Sequence, residues 1–164
     1  MDVAGKKAVI FGGTSGIGLA AAKQLVALGA EVIAVSRSPK KAGDLPAGII
    51  LKQCDVLDRD AVQKLLKECA PYHILVSAAT GGARAVGPFL EMDLDGFKGS
   101  FDKLWGYTNV VRYGAEYLTD DGAIVLVSGA PARKTRPGQV AIGLVFSFLN
   151  DKYNLIYLLN YLFY

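Results

Sequence analysis

The sequence predicts an α/β protein built on a doubly wound, mostly parallel sheet of about five strands. Three observations predict it. Short apolar runs alternate with longer helical stretches along the chain, and that alternation implies crossover connections between parallel strands. The apolar runs are nearly continuous, as expected of strands covered on both faces. A group of glycines sits where the first strand gives way to the first helix.

The elements follow in order. Residues 7–11 (KAVIF) form a short apolar run ending in glycines, which reads as a buried strand. Residues 17–28 are rich in Ala and Leu and read as a helix, with Gly29 where it stops. Residues 31–36 (EVIAVS) and 49–54 (IILKQC) read as the second and third strands. Residues 58–69 form an amphipathic helix with Ala61, Val62, Leu65, Leu66 and Cys69 on one side. Residues 73–77 (HILVS) make a fourth strand. A long helix over 95–118 is softened by Gly96, Gly99 and Gly106, and 123–127 (AIVLV) make a fifth strand. The expected strand order is 3-2-1-4-5.

Composition bounds the function. The chain has 164 residues, 52% hydrophobic and 20% charged, which is enough for one globular domain with a sizeable core. The net charge of +3 is small, and no Lys/Arg cluster with interleaved aromatics argues for nucleic acid. Cys54 and Cys69 stand 15 residues apart with one histidine in the chain, which is neither a disulfide framework nor a zinc site. Reduced thiols and a cytoplasmic location are expected. MDVAGKK runs directly into a strand pattern, so no secretory leader is expected.

The composition changes near Phe146. The stretch 146–164 holds four of the eight tyrosines and three of the four asparagines. Interrupted by Asn150, Asp151, Lys152, Asn154 and Asn160, it makes a poor membrane span. The expected organisation is one α/β domain over 1–145 followed by a divergent hydrophobic tail over 146–164. The tail and the long helix are the candidate contacts with a second copy.

The strongest motif is Gly12-Gly13-Thr14-Ser15-Gly16-Ile17-Gly18. Gly12 allows a tight turn, Gly16 lets the backbone approach a pyrophosphate at a helix N-terminus, and Gly18 permits close helix–strand packing. A glycine triplet alone is weak; its position between a strand and a helix gives it meaning.

The spacing Gly-x-x-x-Gly-x-Gly resembles the glycine signature of the short-chain dehydrogenase/reductase family, with Phe11 where the family usually has Thr. Further matches run from about residue 5 to 145. Asp55 and Val56 follow the third strand, where the family places an Asp that contacts adenine. Ser77-Ala78-Ala79-Thr80 stands where the family has Asn-Asn-Ala-Gly, so only Ala79 is kept. Ser128 closes the fifth strand, at the family's catalytic Ser. The resemblance implies a Rossmann-like sheet lacking the family's last strands, in a truncated or divergent member. Its implied cofactor site comprises Gly12, Thr14, Ser15, Gly16, Ile17, Gly18, Arg37, Ser38, Asp55, Val56 and Ala79.

The second strand ends in Ser36-Arg37-Ser38. An acidic residue there would accept hydrogen bonds from a ribose diol and favour NAD; Arg37 can instead pair with a 2′-phosphate, so NADP is expected. The family moves a hydride between nicotinamide and a carbonyl/alcohol pair, and a Tyr hydroxyl with a Lys four residues on handles the proton. Carried over from Ser128, the Tyr falls at Ala141 and the Lys at Val145; the family's helix Asn falls at Lys103. Of that machinery only Ser128 remains, and it also reads as a plain strand-end hydroxyl. No tail tyrosine (Tyr153, Tyr157, Tyr161, Tyr164) opens a Tyr-x-x-x-Lys. His73 opens a strand and joins no triad. Residues 133–136 (RKTR) read as a solvated loop or an anion-attracting one.

Two functions follow: an NADP(H)-dependent oxidoreductase of short-chain type acting on a carbonyl/alcohol substrate, or a non-catalytic dinucleotide-binding protein or truncated product of a longer dehydrogenase.

Overall fold

The computed structural model describes residues 2–43, 45–80, 85–128, 139 and 141–143. The tail 146–164, the basic loop 133–136 and Val145 lie outside them. The chain divides into two compact units, one of residues 1–80 and 105–127, the other of residues 81–104 and 128–164.

The first unit carries the sheet. Its strands are β1 (Lys7–Phe11), β2 (Glu31–Ser36), β3 (Ile49–Gln53), β4 (Tyr72–Ser77) and β5 (Leu118–Leu126). They are parallel and lie in the order β3-β2-β1-β4-β5, as the alternation of strands and helices predicts. Two helices connect them here, α1 (Gly16–Ala27) and α2 (Arg59–Cys69). Asp58 caps α2, its carboxylate accepting from the Ala61 N–H at 3.0 Å, the role expected of Asp at an N-cap.

Strand alternation sorts the core onto two faces. Val9, Phe11, Ile33, Val35 and Leu75 pack with Val62, Leu65, Leu66 and Cys69 of α2 and with Val110. Ala8, Ile10, Val32, Ile74 and Val76 pack on the α1 side with Ala22. The α2 stripe is the one its periodicity predicts, with Ala61 partly buried at its margin.

The second unit holds α3 (Leu94–Gly99) and the start of α4 (Asp102–Gly114), which runs on into the first unit. The single helix expected over 95–118 is therefore divided. Asp93 starts α3 by accepting from the Asp95 and Gly96 N–H groups at 3.3 and 2.8 Å. Ser100 ends it: its hydroxyl donates to the Gly96 carbonyl at 3.0 Å and accepts the Ala85 N–H at 3.0 Å. Two glycines in six residues lower helix propensity enough for these side-chain bonds to decide the break. Past α4, a 3-10 turn over Ala115–Tyr117 leads into β5, which starts five residues earlier than expected and ends at Leu126. Ser128 thus stands two residues beyond the strand.

Candidate functional site

The carboxyl ends of the strands come together at one edge. In register, Phe11 stands beside Val35 and Ser77, Ser36 beside Gln53, and Ser77 beside Leu126. The ladder continues one step past each strand: Gly12 N–H donates to the Val35 carbonyl, Cys54 N–H to Ser36, Ala78 N–H to Phe11 and Val127 N–H to Ser77, all at 2.8–3.1 Å. The loops after β1, β2, β3 and β4 therefore start from a common, rigid line.

The strand order reverses between β1 and β4, where open α/β sheets bind ligands. There the glycine loop leaves β1. Gly12 has φ +80°, and a Cβ on it would stand 2.7 Å from the Ala79 nitrogen and 2.8 Å from the Ala78 carbonyl carbon. A Cβ on Gly18 would stand 2.2 Å from the Gly12 carbonyl oxygen. These approaches draw the N-terminus of α1 against the ends of β1 and β4. Gly16 has φ +51°, with open space around it. Thr14 is half-buried, Ser15, Gly16 and Ile17 are exposed and Gly18 is buried. Ser15 caps α1 in extended backbone, and its side chain makes no capping bond. With no acidic residue in the first turn of α1, no carboxylate offsets the partial positive charge of its first N–H groups.

After β2, the Ser36 hydroxyl accepts the Ser38 N–H at 3.1 Å and the Arg37 carbonyl accepts from Gln53 at 3.1 Å. The Arg37 backbone is thus held while its exposed side chain makes no ion pair among the described residues. Lys40 and Lys41, also exposed, follow in a 3-10 turn.

After β3, Asp55 is half-buried and Val56 buried. One Asp55 carboxylate oxygen accepts the Leu57 N–H at 3.0 Å, and the Asp55 carbonyl accepts the Asp58 N–H at 3.1 Å. The other carboxylate oxygen and the Val56 N–H make no hydrogen bond among the described residues. Beside them, burial, then Asp58 and Asp55, push the Cys54 thiol up to about 11, so it stays protonated.

After β4, Ala78 and Ala79 are half-buried against the glycine loop. Ser77 is fully buried, and its hydroxyl finds no partner among the described residues.

Beyond β5, the Val127 carbonyl accepts a hydrogen bond from the Tyr107 hydroxyl of α4. Ser128 follows, in the second unit, its buried hydroxyl without a partner among the described residues. Ala141 is fully buried and non-titratable. Lys103 is buried as well. His73 sits in β4, its Nδ1 accepting the Lys7 N–H at 3.2 Å at the opposite, amino edge of the sheet. Among the described residues no cluster of His, Cys, Asp and Glu could hold a metal, and no helix is long and apolar enough to cross a membrane.

The structure thus gathers Gly12, Thr14, Ser15, Gly16, Ile17, Gly18, Arg37, Ser38, Asp55, Val56 and Ala79 along one edge of the first unit. It adds two side chains that no motif marks. Tyr107 holds Val127, and Asn109 donates to the Val56 carbonyl at 2.9 Å. Both are buried polar groups on the packed side of α4, and only the fold says what they reach.

This arrangement is that of a Rossmann-like sheet, and comparison with known proteins assigns its family. The short chain dehydrogenase family model matches residues 6–142. The chain belongs to the short-chain dehydrogenase/reductase family. It is 29% identical over 141 residues to the L-xylulose reductase of Mesocricetus auratus, covering 82% of this chain and 57% of that one. It is 40% identical over 87 residues to the uncharacterized oxidoreductase DltE of Bacillus subtilis, covering 48% of this chain and 34% of that one. Among solved structures, a short-chain dehydrogenase/reductase family protein superposes with a TM-score of 0.78 at 30% identity, covering 91% of this chain and 66% of that one. A short-chain type dehydrogenase/reductase from Mycobacterium ulcerans gives 0.81 at 25% identity, covering 91% and 60%. The chain spans a little over half the length of the rodent L-xylulose reductases it matches.

Proposed function

We propose that this chain binds NADP(H) along the carboxyl edge of its sheet and serves an oxidoreductase of the short-chain type acting on a carbonyl or alcohol. The observation that carries the reading is the fit of Gly18 against Gly12 and of Gly12 against Ala78–Ala79. Any side chain there would push α1 away, and only the close approach leaves its N-terminal N–H groups open to a pyrophosphate.

The other residues suit the remaining parts of the ligand. Arg37, held by its backbone and without an ion pair among the described residues, matches a 2′-phosphate, and Ser38, Lys40 and Lys41 add donors and charge. The Val56 N–H and the second Asp55 carboxylate oxygen, without partners among the described residues, match the acceptor N1 and donor N6 of adenine. Bound in this way, the nicotinamide would supply or accept the hydride. Ser128, its buried hydroxyl without a partner among the described residues, is the residue of this chain suited to orient a substrate oxygen.

A second reading is a dinucleotide-binding chain without catalysis. Ala141 favours it: the position that the family gives to its proton-transferring Tyr holds a fully buried methyl group. Fluorescence titration with NADPH and NADH tests the binding reading. Saturable binding with preference for NADPH supports it; no binding of either sinks it. Turnover assays on the same samples separate the two readings.

A further inference from the structure

We propose that Asn109 is a positioning residue for the base of the dinucleotide: from α4 it fixes the peptide that aims the Asp55 carboxylate and the Val56 N–H. The inference rests on the reading of the sheet edge given above, and it concerns base selectivity rather than binding as such.

The Asn109 carboxamide donates to the Val56 carbonyl at 2.9 Å, and both residues are buried, at 6% and 5% exposure. Three residues back on the same face of α4, a Cβ on Gly106 would stand 2.7 Å from the Val56 side chain. Helix and loop therefore touch at the closest distance a glycine allows. The Val56 carbonyl and the Leu57 N–H belong to one peptide unit. Its oxygen is tied to Asn109 and its N–H to a carboxylate oxygen of Asp55 at 3.0 Å. Asn109 thus sets the plane of that peptide, and the peptide sets the rotation of the Asp55 carboxylate. The second carboxylate oxygen and the Val56 N–H are left without partners among the described residues.

A donor and an acceptor on consecutive residues make a directional reader. Adenine presents an acceptor at N1 beside a donor at N6. Hypoxanthine presents a donor at N1 beside an acceptor at O6, so every contact is reversed. Without Asn109 the buried Val56 carbonyl lacks a donor; the peptide turns to find one and carries the Leu57 N–H away from Asp55. The reader loses its aim while the pyrophosphate and 2′-phosphate contacts stay as they were.

The test compares NADPH with its deaminated analogue, reduced nicotinamide hypoxanthine dinucleotide phosphate, by fluorescence titration of wild type, Asn109→Asp and Asn109→Ser. Wild type is expected to favour the adenine form by at least about tenfold, since a site built to hydrogen-bond rejects a mismatched group strongly. Both variants are expected to bring that ratio close to one, with hypoxanthine-form affinity changed less than about twofold. A variant that keeps the wild-type ratio overturns the inference and leaves the binding reading standing. Wild type that binds neither compound overturns both. If the variants fail to fold, amide exchange of wild type decides: a Leu57 N–H that exchanges freely in the unliganded chain overturns the proposal, and a protected one supports it.

Discussion

Gly18 and Gly12 meet so closely that a Cβ on Gly18 would lie 2.2 Å from the Gly12 carbonyl oxygen, well inside any permitted contact. The two residues lock the start of α1 to the end of β1, and neither backbone has room to yield, because Gly12 is pressed against Ala78 and Ala79 in turn. Gly18→Ala is therefore expected to destabilise the fold by about 1–3 kcal/mol or more and to abolish NADPH binding. Gly16→Ala is the control. Nothing stands within 4 Å of its Cβ, so only the left-handed backbone is strained, at about 1–2 kcal/mol. Urea unfolding of both variants checks this; equal losses would show that the Gly12–Gly18 contact is not the rigid one.

Arg37→Ala is expected to lower NADPH affinity and leave NADH affinity nearly unchanged. One charge-assisted bond is worth about 1.5–3 kcal/mol, or about ten- to a hundredfold in the dissociation constant. Because the Arg37 backbone is held by Gln53, the substitution removes the charge without releasing the loop. Titrations with both cofactors at low and high salt measure the effect, and an undiminished NADPH preference would exclude Arg37 as its source.

Turnover on simple alcohols and ketones is expected to be far below the ordinary range of about 1–10³ per second. A positioned acid or base contributes about 10²–10⁴-fold, and Ala141 offers neither. Steady-state rates with NADPH and a panel of small carbonyl compounds test this. Turnover in the ordinary range would mean that another residue moves the proton.

The sheet was legible in the sequence because its signals are local. The apolar runs at 7–11 and 31–36 coincide with β1 and β2, and the helices after β1, after β3 and before β5 mark the crossovers of a parallel sheet. The glycine loop was legible for the same reason. The break between α3 and α4 was not, because it depends on Ser100 reaching the Ala85 N–H, a partner 15 residues away. Asn109 was equally hidden: in sequence it is a polar residue inside a helix, and its partner Val56 lies 53 residues off. Long-range polar contacts of single side chains leave no periodicity to read.

Cys54 is expected to resist alkylation in the native protein. Burial and the neighbouring Asp58 and Asp55 raise its thiol to about 11, whereas an unfolded thiol titrates near 8.5. At pH 8, iodoacetamide should label the urea-unfolded chain quickly and the folded chain slowly, with folded-state labelling accelerating towards pH 11. Since the folded value is raised, this thiol's contribution to stability is complete below the unfolded pKa and is lost as pH rises through the folded one. Rapid native labelling at pH 8, located at Cys54 by mass spectrometry, would contradict the burial that the structure gives it.

Tyr72 offers the sharpest test of how α4 is anchored. Its hydroxyl is fully buried and donates to the Gly114 carbonyl at 2.6 Å, joining the start of β4 to the last turn of α4. Gly114 has no side chain because none fits: a Cβ there would stand 2.5 Å from Leu75 and 3.1 Å from the Tyr72 hydroxyl. Tyr72→Phe keeps the ring and leaves the Gly114 carbonyl without its donor, which is expected to cost about 1–3 kcal/mol. The pH dependence gives a second, independent signature. Burial, and after it Cys69, Tyr117 and Glu116, raise the Tyr72 hydroxyl well above the ordinary phenol value. Between the unfolded pKa of about 10 and the higher folded one, the unfolded chain releases a proton that the folded chain keeps, so stability falls as pH rises. Wild type should therefore lose stability above about pH 10 more steeply than Tyr72→Phe, even though the variant starts lower. Other groups titrate in this range in both proteins, so the difference between the two curves isolates Tyr72. Urea midpoints for both proteins at pH 8, 9, 10 and 11 measure it, and parallel curves would show that the Tyr72 hydroxyl is not held neutral in the fold.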